Sequence, residues 1–181
     1  MKSTTAMAID SPTANTVAVV DRTPIALSAP AKAMMMGARL QRTRGLRIEA
    51  VKSFEAPMGS AVERRIGALK PGYYTRIGAA VRHASAQLVD QPQRKKLLLV
   101  LTDGKPNDVD HYEGRFAVED TRKAVQEARR LGAGVFGVTI DATAQAYFPT
   151  LFGRAGYAIV GNVCRLPAAL PALYRQLTQQ I

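Results

Sequence analysis

The fold is decided by the stretch KLLLVLTDGKPND at residues 96–108. Its consecutive large apolar residues, Leu97 to Leu101, form a run too short to span a membrane and too evenly apolar for a half-exposed strand. Such a run is typical of a central strand in a parallel sheet that helices cover on both faces. It ends at Asp103, and open α/β sheets place their ligands at the carboxyl ends of such strands. The alternative, that Asp103 and Gly104 only form a turn, stays open on local sequence alone.

Helical and extended segments alternate around this strand. Apolar residues at helical spacing predict helices over 60–69, 76–89, 118–131, 142–151 and 166–179. Runs of apolar and β-branched residues predict further strands over 47–54, 135–140 and 157–160. Two of the predicted strands end on an aspartate, Asp103 or Asp141. This order predicts a doubly wound α/β domain, with a mostly parallel sheet and helices on both faces.

The first 45 residues differ in character from the rest of the chain. They are rich in alanine, serine, threonine and proline, and three prolines break any long element: Pro12, Pro24 and Pro30. A short strand over 16–21 is compatible with the sequence. We therefore expect an irregular segment over 1–45, followed by an ordered domain over 46–181.

The net charge of +11 suggests a partner of opposite charge. Aromatic residues make up only 6% of the chain and no nucleic-acid motif interleaves the basic residues, so an acidic protein surface, or plain solubility, explains the charge better than nucleic acid does. The single cysteine, Cys164, cannot form an internal disulfide and is expected to be buried or half-buried. With no long apolar run and no signal-like h-region, we expect no membrane insertion and a cytoplasmic location.

The residues offer little for catalysis and more for metal binding. The sequence contains no Gly-x-Ser-x-Gly nucleophile elbow and no Walker A loop. Thr75 at a helix start and Asp103 at a strand end carry oxygens of the kind that Mg²⁺ takes, although helix capping alone also explains Thr75. Two such ligands would bind weakly, so a third contribution is needed. A metal-assisted hydrolase that uses Asp103, Asp108 and His111 is a second possibility.

Two short motifs carry a family resemblance. The Thr-x-x-Gly pattern of Thr75 to Gly78, followed by a strand that ends LTDG at 101–104, resembles two parts of the metal-ion-dependent adhesion site of von Willebrand factor type A domains. Longer stretches resemble the C-terminal domain of the NorD/CbbO proteins: GYYTRIGAAVRHA at 72–84, LTDGKPNDVDHYEGR at 101–115, VTID at 138–141, and YFP at 147–149. The resemblance covers about residues 46–180.

The resemblance implies a non-enzymatic adaptor. NorD-type proteins help to mature or activate nitric oxide reductase in denitrifying bacteria, and CbbO-type relatives assist the activation of Rubisco. Both act with a hexameric MoxR-type AAA+ ATPase of the NorQ/CbbQ kind, which carries out the hydrolysis. By the same resemblance, Thr75 and Asp103 would hold Mg²⁺, and an acidic side chain of the partner would complete its coordination.

One part of the family pattern is missing from the sequence. The Asp-x-Ser-x-Ser motif that should follow the first strand is absent, and the nearest candidate, DSPTA at 10–14, has proline and alanine where serines should stand. Spacing from Phe54 instead places the motif at or just before Met1, with Ser3 and Thr4 as its candidate remnant. Residues 5–45 also lack the long amphipathic helix and second strand of the family. We therefore expect a domain that is incomplete at its N-terminus, from a truncated or frame-disrupted copy. It would lack its central first strand and bind metal weakly.

Overall fold

A computed structural model describes residues 7–8, 14–20, 27–28, 33–40, 46–68, 76–105 and 114–180. The strands are β1 (Met7–Ala8), β2 (Ala14–Val20), β3 (Leu27–Ser28), β4 (Ala33–Leu40), β5 (Leu46–Lys52), β6 (Lys95–Thr102), β7 (Gly134–Thr139) and β8 (Tyr157–Ile159). The α-helices are α1 (Ser60–Gly67), α2 (Ile77–Val89), α3 (Arg115–Arg130), α4 (Phe148–Phe152) and α5 (Leu166–Gln180). Two 3₁₀ turns cover Ala142–Ala146 and Val163–Arg165.

Six strands form one sheet in the order β5-β4-β2-β6-β7-β8. The strand β6 lies between β2 and β7 and is parallel to both. β4 and β8 extend the parallel part on either side, and β5 closes one edge antiparallel to β4. β1 and β3 form a separate two-stranded parallel pair. The predicted doubly wound, mostly parallel sheet is therefore confirmed.

The central strand β6 packs against helices on both of its faces. Leu98 and Val100 belong to a core cluster with α2, α3 and α4, whereas Leu97, Leu99 and Leu101 belong to a second cluster with α1 and α5. Successive side chains of a strand point to opposite faces, so covering both faces requires an unbroken apolar run rather than an alternating one. Each of these side chains is at most 5% exposed.

A close contact between α2 and α3 explains the glycine of the Thr-x-x-Gly pattern. A Cβ at Gly78 would collide with the Asp120 carboxylate, so glycine is required for Asp120 to approach α2. The Asp120 carboxylate accepts a hydrogen bond from Arg82 Nη1 at 2.7 Å, and Arg82 Nε donates to Glu127 at 2.7 Å. One arginine of α2 is thus held by two carboxylates of α3.

The structure corrects the expectations for the first 45 residues. β2 occupies the central position that we expected to be empty, and β4 supplies a second strand beside it. The short strand that the sequence allowed over 16–21 corresponds to β2, but its central position was hidden because Ala14–Val20 lacks the large apolar residues of β6 and has prolines on either side in sequence. The sheet is therefore not missing its first strand. The domain boundary at 46 stays a prediction.

Element bounds differ from the predictions by a few residues. α3 begins at Arg115 rather than 118, and the helix predicted over 142–151 divides into the 3₁₀ turn Ala142–Ala146 and α4. Gly132, with φ of 87°, ends α3 in the left-handed conformation that glycine favours. Cys164 is exposed, not buried, because it lies in the 3₁₀ turn before α5. No helix within the described ranges is long and apolar enough to cross a membrane.

Candidate metal-binding edge of the sheet

The central strands end together at one edge of the sheet, here called the carboxyl edge. Thr102 of β6 pairs with Thr139 of β7, and the aspartates Asp103 and Asp141 follow within two residues of that pair. Val20, the last residue of β2, pairs with Leu101 of β6. Parallel pairing therefore brings the ends of three neighbouring strands to the region where α/β folds bind their ligands.

The loop that follows β7 is tied together by the Asp141 carboxylate. Asp141 Oδ1 accepts hydrogen bonds from the backbone N–H of Thr143 at 2.8 Å and from its hydroxyl at 2.7 Å. Asp141 Oδ2 accepts from the Tyr147 hydroxyl at 2.8 Å. In this way Asp141 caps the 3₁₀ turn Ala142–Ala146, and both of its oxygens are already in use.

The protonation states in this loop follow from the same contacts. Partial burial pushes the pKa of Asp141 up, but the hydrogen bonds from Thr143 and Tyr147 outweigh it, so the pKa lies below its ordinary value. Burial and the bond to Asp141 raise the pKa of the Tyr147 phenol well above its usual range. Tyr147 therefore stays protonated and remains a hydrogen-bond donor to an ionised Asp141 at neutral pH.

The loop that follows β6 is held differently. The Thr102 hydroxyl donates to the carbonyl of Gly104 at 3.1 Å and accepts from its N–H at 3.4 Å, so the turn is closed by Thr102 and not by Asp103. Asp103 is half-buried, and within the described part of the chain its carboxylate accepts no hydrogen bond and forms no ion pair. Its oxygens are available for a ligand. Lys105, whose Nζ lies 5.5 Å from the Tyr147 ring centroid, links this loop to the next.

Of the residues predicted for a metal or hydrolase site, the structure describes only Asp103. Thr75, Asp108 and His111 lie outside the described residues, so their roles stay predictions. The stretch at 10–14 runs into the start of β2, which begins at Ala14, whereas the family motif follows its strand, so this stretch lies at the wrong end of β2 for the first motif.

The order of strands points to a different candidate for the first motif. The residues directly after β2 in the sequence are Asp21, Arg22 and Thr23, an aspartate and a hydroxyl with the spacing of the first two ligands of an Asp-x-Ser-x-Ser motif. The structure does not describe these residues. Recognising 14–20 as the central strand was the signal that would have found them.

Asp103 gives this edge a carboxylate of the kind that a hard divalent cation binds. The described residues do not supply the remaining ligands. A carboxylate with available oxygens is the kind of ligand that Mg²⁺ takes together with waters and few protein groups. No group of three or more metal-binding acidic, histidine or cysteine residues occurs in the described ranges. Asp141 is committed to its own turn, because its oxygens accept three hydrogen bonds there. Further ligands would have to come from other loops.

Comparisons with protein families and sequences agree with this fold. The model of the von Willebrand factor type A domain matches residues 50–156. Protein NorD of Brucella melitensis is 63% identical over 137 residues, which make up 76% of this chain and 22% of that protein. Protein NorD of Stutzerimonas stutzeri is 55% identical over 119 residues, 66% of this chain and 19% of that protein. The chain thus spans about a fifth of the length of the curated relatives that it matches.

Solved structures with the same fold are distant in sequence. The vWF domain of the type V pilus tip protein Mfa5 from Porphyromonas gingivalis superposes with a TM-score of 0.60 at 8% identity, over 92% of this chain and 94% of that one. Proximal thread matrix protein 1 from the mussel byssus gives a TM-score of 0.62 at 11% identity, over 88% of this chain and 46% of that one. At these identities the similarity establishes the fold alone.

Proposed function

The chain belongs to the von Willebrand factor type A domain family, and we propose that it is an adaptor of the NorD kind that helps to activate nitric oxide reductase together with a MoxR-type AAA+ ATPase. The proposal places the chain in the cytoplasm and gives it no catalytic activity of its own. It rests on the identity to proteins named NorD and on one structural observation, the available carboxylate of Asp103 at the carboxyl edge.

We propose Asp103 as the acidic metal ligand of this adaptor. Thr75, which follows the family pattern, and Asp21 and Thr23, which follow β2 in sequence, are the proposed additional ligands. Carboxylate and hydroxyl oxygens in this combination suit Mg²⁺. A bound divalent cation would supply positive charge that attracts an acidic side chain of the partner. In the chain itself, the Thr102 turn would hold Asp103 in place for that contact.

The proposal is tested by co-expressing the chain with a MoxR-type ATPase and nitric oxide reductase. The Asp103→Ala variant should lower nitric oxide consumption to the level measured without the chain, while its thermal unfolding stays that of the wild type. The matched control is Asp90→Ala, an exposed aspartate at the C-terminal end of α2, which should leave activation unchanged. Full activation by Asp103→Ala would contradict the metal-dependent adaptor role.

Partnership and hydrolysis are tested separately. The ATPase should co-purify with the tagged wild-type chain, and its absence from the purified fraction would contradict the proposed partnership. A screen of phosphate esters in the presence of Mg²⁺ or Mn²⁺ should show no turnover. Turnover that is lost in Asp103→Ala would instead support the metal-assisted hydrolase.

A further inference from the structure

A groove of about 360 Å³ opens at the opposite edge of the sheet, here called the amino edge, where β6 and β7 begin. Its lining combines apolar residues, among them Phe136 and Leu177, with two arginines, Arg129 and Arg154. The groove exists because β8 is shorter than β7: pairing of the two strands begins only at Gly137 and Tyr157, so the first residues of β7 pair with β6 on one side and with no described strand on the other.

The uncovered end of β7 presents a backbone donor to this groove. Gly137 N–H bonds to the carbonyl of Gly156 at 2.9 Å, so Gly137 faces β8. Residues two apart on a strand direct their backbone groups to the same neighbour, and Val135 therefore faces the groove. Its carbonyl accepts from Arg129 Nη2 at 3.1 Å, but its N–H finds no acceptor in the described part of the chain. Val135 is only 5% exposed, and such buried N–H groups normally have a partner.

Hydrogen bonds from Nη2 fix Arg129 at the groove, while its other N–H groups remain as possible donors. Its Nη2 also donates to the carbonyl of Phe152 at 2.7 Å, the last residue of α4. A Cβ at Gly156 would come within 2.6 Å of this nitrogen, so the loop before β8 requires glycine there. The other N–H groups of Arg129 have no acceptor among the described residues. Burial lowers the pKa of Arg129.

The charge around the groove is positive. Arg129 and Arg154 are the charged residues of its lining, and both are arginines. Glu127, the carboxylate nearest in sequence to Arg129, is already bonded to Arg82 of α2. An anionic ligand would therefore meet guanidinium groups that no acidic side chain of the described residues neutralises, which favours charge-assisted hydrogen bonds.

We propose that this groove binds an acidic peptide segment of a partner protein, extended along the uncovered end of β7. A backbone carbonyl of the segment accepts from Val135 N–H, an acidic side chain pairs with Arg129 and Arg154, and an apolar side chain covers Leu177. A peptide fits better than a nucleic acid because the lining is partly apolar and Phe136, at 7% exposure, offers no ring for base stacking. The groove lies opposite Asp103, so this inference does not depend on metal binding.

The test measures fluorescence anisotropy of a labelled, N-acetylated octapeptide of alternating glutamate and leucine, titrated with the chain. Arg154→Glu should weaken binding by about tenfold or more, because it places a negative charge at the groove. Arg165→Glu, at an exposed arginine of the 3₁₀ turn before α5, makes the same change in net charge far from the groove and should leave binding within about twofold of the wild type. Arg129→Lys, which keeps the charge but loses the fork of donors, should weaken binding by about fivefold.

Three results would overturn the proposal. The first is no binding by the wild type, or equal binding of the matched peptide with glutamine in place of glutamate. The second is an equal loss in Arg154→Glu and Arg165→Glu, which would show attraction by net charge alone. The third is a single-stranded oligonucleotide of equal charge that binds more tightly than the peptide and is released by Arg154→Glu. Circular dichroism of each variant confirms that the fold is retained.

Discussion

Two loops at the carboxyl edge begin alike and are held in opposite ways. Both follow a buried parallel strand that ends in threonine, and both carry an aspartate directly after the strand or one residue later. In the loop after β7, the Asp141 carboxylate accepts three hydrogen bonds and organises its own turn. In the loop after β6, Thr102 closes the turn, and the Asp103 carboxylate accepts no hydrogen bond from the described residues.

The difference shows that the position of an aspartate at a strand end does not determine its role, because the role depends on its hydrogen-bond partners. A carboxylate whose oxygens are all used by its own loop stabilises the fold, whereas one that is half-buried without such partners has oxygens to offer to a ligand. The comparison therefore predicts a stabilising role for Asp141 and is consistent with the proposed binding role of Asp103. Each of the following predictions tests this difference between Asp141 and Asp103.

The largest effect is expected from Asp141→Ala. The change removes three hydrogen bonds and leaves the buried Tyr147 hydroxyl without its acceptor, which should lower the free energy of unfolding by about 2–3 kcal/mol. Urea denaturation followed by circular dichroism measures this loss. A change no larger than that of the corresponding Asp103 variant would break the comparison.

A smaller effect is expected from Tyr147→Phe. The ring is 5% exposed and keeps its packing against Phe148, with centroids 5.3 Å apart, while the hydroxyl bond to Asp141 is lost. The free energy of unfolding should fall by about 1 kcal/mol. Tyr157→Phe, at a hydroxyl 3.4 Å from Gln145 in an exposed contact, is the control and should be neutral. Equal effects of the two variants would show that the hydrogen bond from Tyr147 to Asp141 adds nothing to the free energy of unfolding.

The contribution of the Asp141 contacts to stability should also respond to acid. Because the pKa of Asp141 in the folded chain is depressed, its contribution is present above the unfolded pKa of about 3.9 and is lost as the pH falls through the lower folded value. The free energy of unfolding, measured between about pH 5 and 2.5, should therefore depend less steeply on pH in Asp141→Asn than in the wild type. An unchanged slope in this variant would mean that the bonds to Asp141 do not favour its ionised form.

The smallest effect on stability is expected from Asp103→Asn. Since no described hydrogen bond holds this carboxylate, the free energy of unfolding should change by less than about 0.5 kcal/mol. The same urea titration measures it. A loss as large as that of the Asp141 variants would show that Asp103 is structural and would remove the argument for a site.

The sequence was informative where composition and periodicity agree. The apolar run of β6 predicted a central parallel strand because only a strand covered on both faces needs five large apolar residues in succession. It placed Asp103 and Asp141 at strand ends, but could not separate their roles. The roles of the two aspartates differ because Asp141 contacts Thr143 and Tyr147, and these contacts depend on how the turn after β7 closes.

Two other features could not be read from the sequence in physical terms. β2 is built of small and β-branched residues between prolines, so the sequence allowed a short strand over 16–21 but did not show its central position, which only the pairing with β6 reveals. The groove at the amino edge arises from a difference in length between β7 and β8 and from a side chain of α3 that bonds to a strand carbonyl. Neither of these two features produces a periodic pattern of apolar residues in the sequence.

Metal titration of the two aspartate variants tests the central claim most directly. Electron paramagnetic resonance of free Mn²⁺, with Mg²⁺ as competitor, measures binding to the wild type, Asp103→Asn and Asp141→Asn at a temperature where all three are folded. The account predicts that Mg²⁺ competes for the wild-type site, that Asp103→Asn loses binding, and that Asp141→Asn retains it. Binding by Asp103→Asn equal to that of the wild type, or no binding by the wild type, would contradict the account.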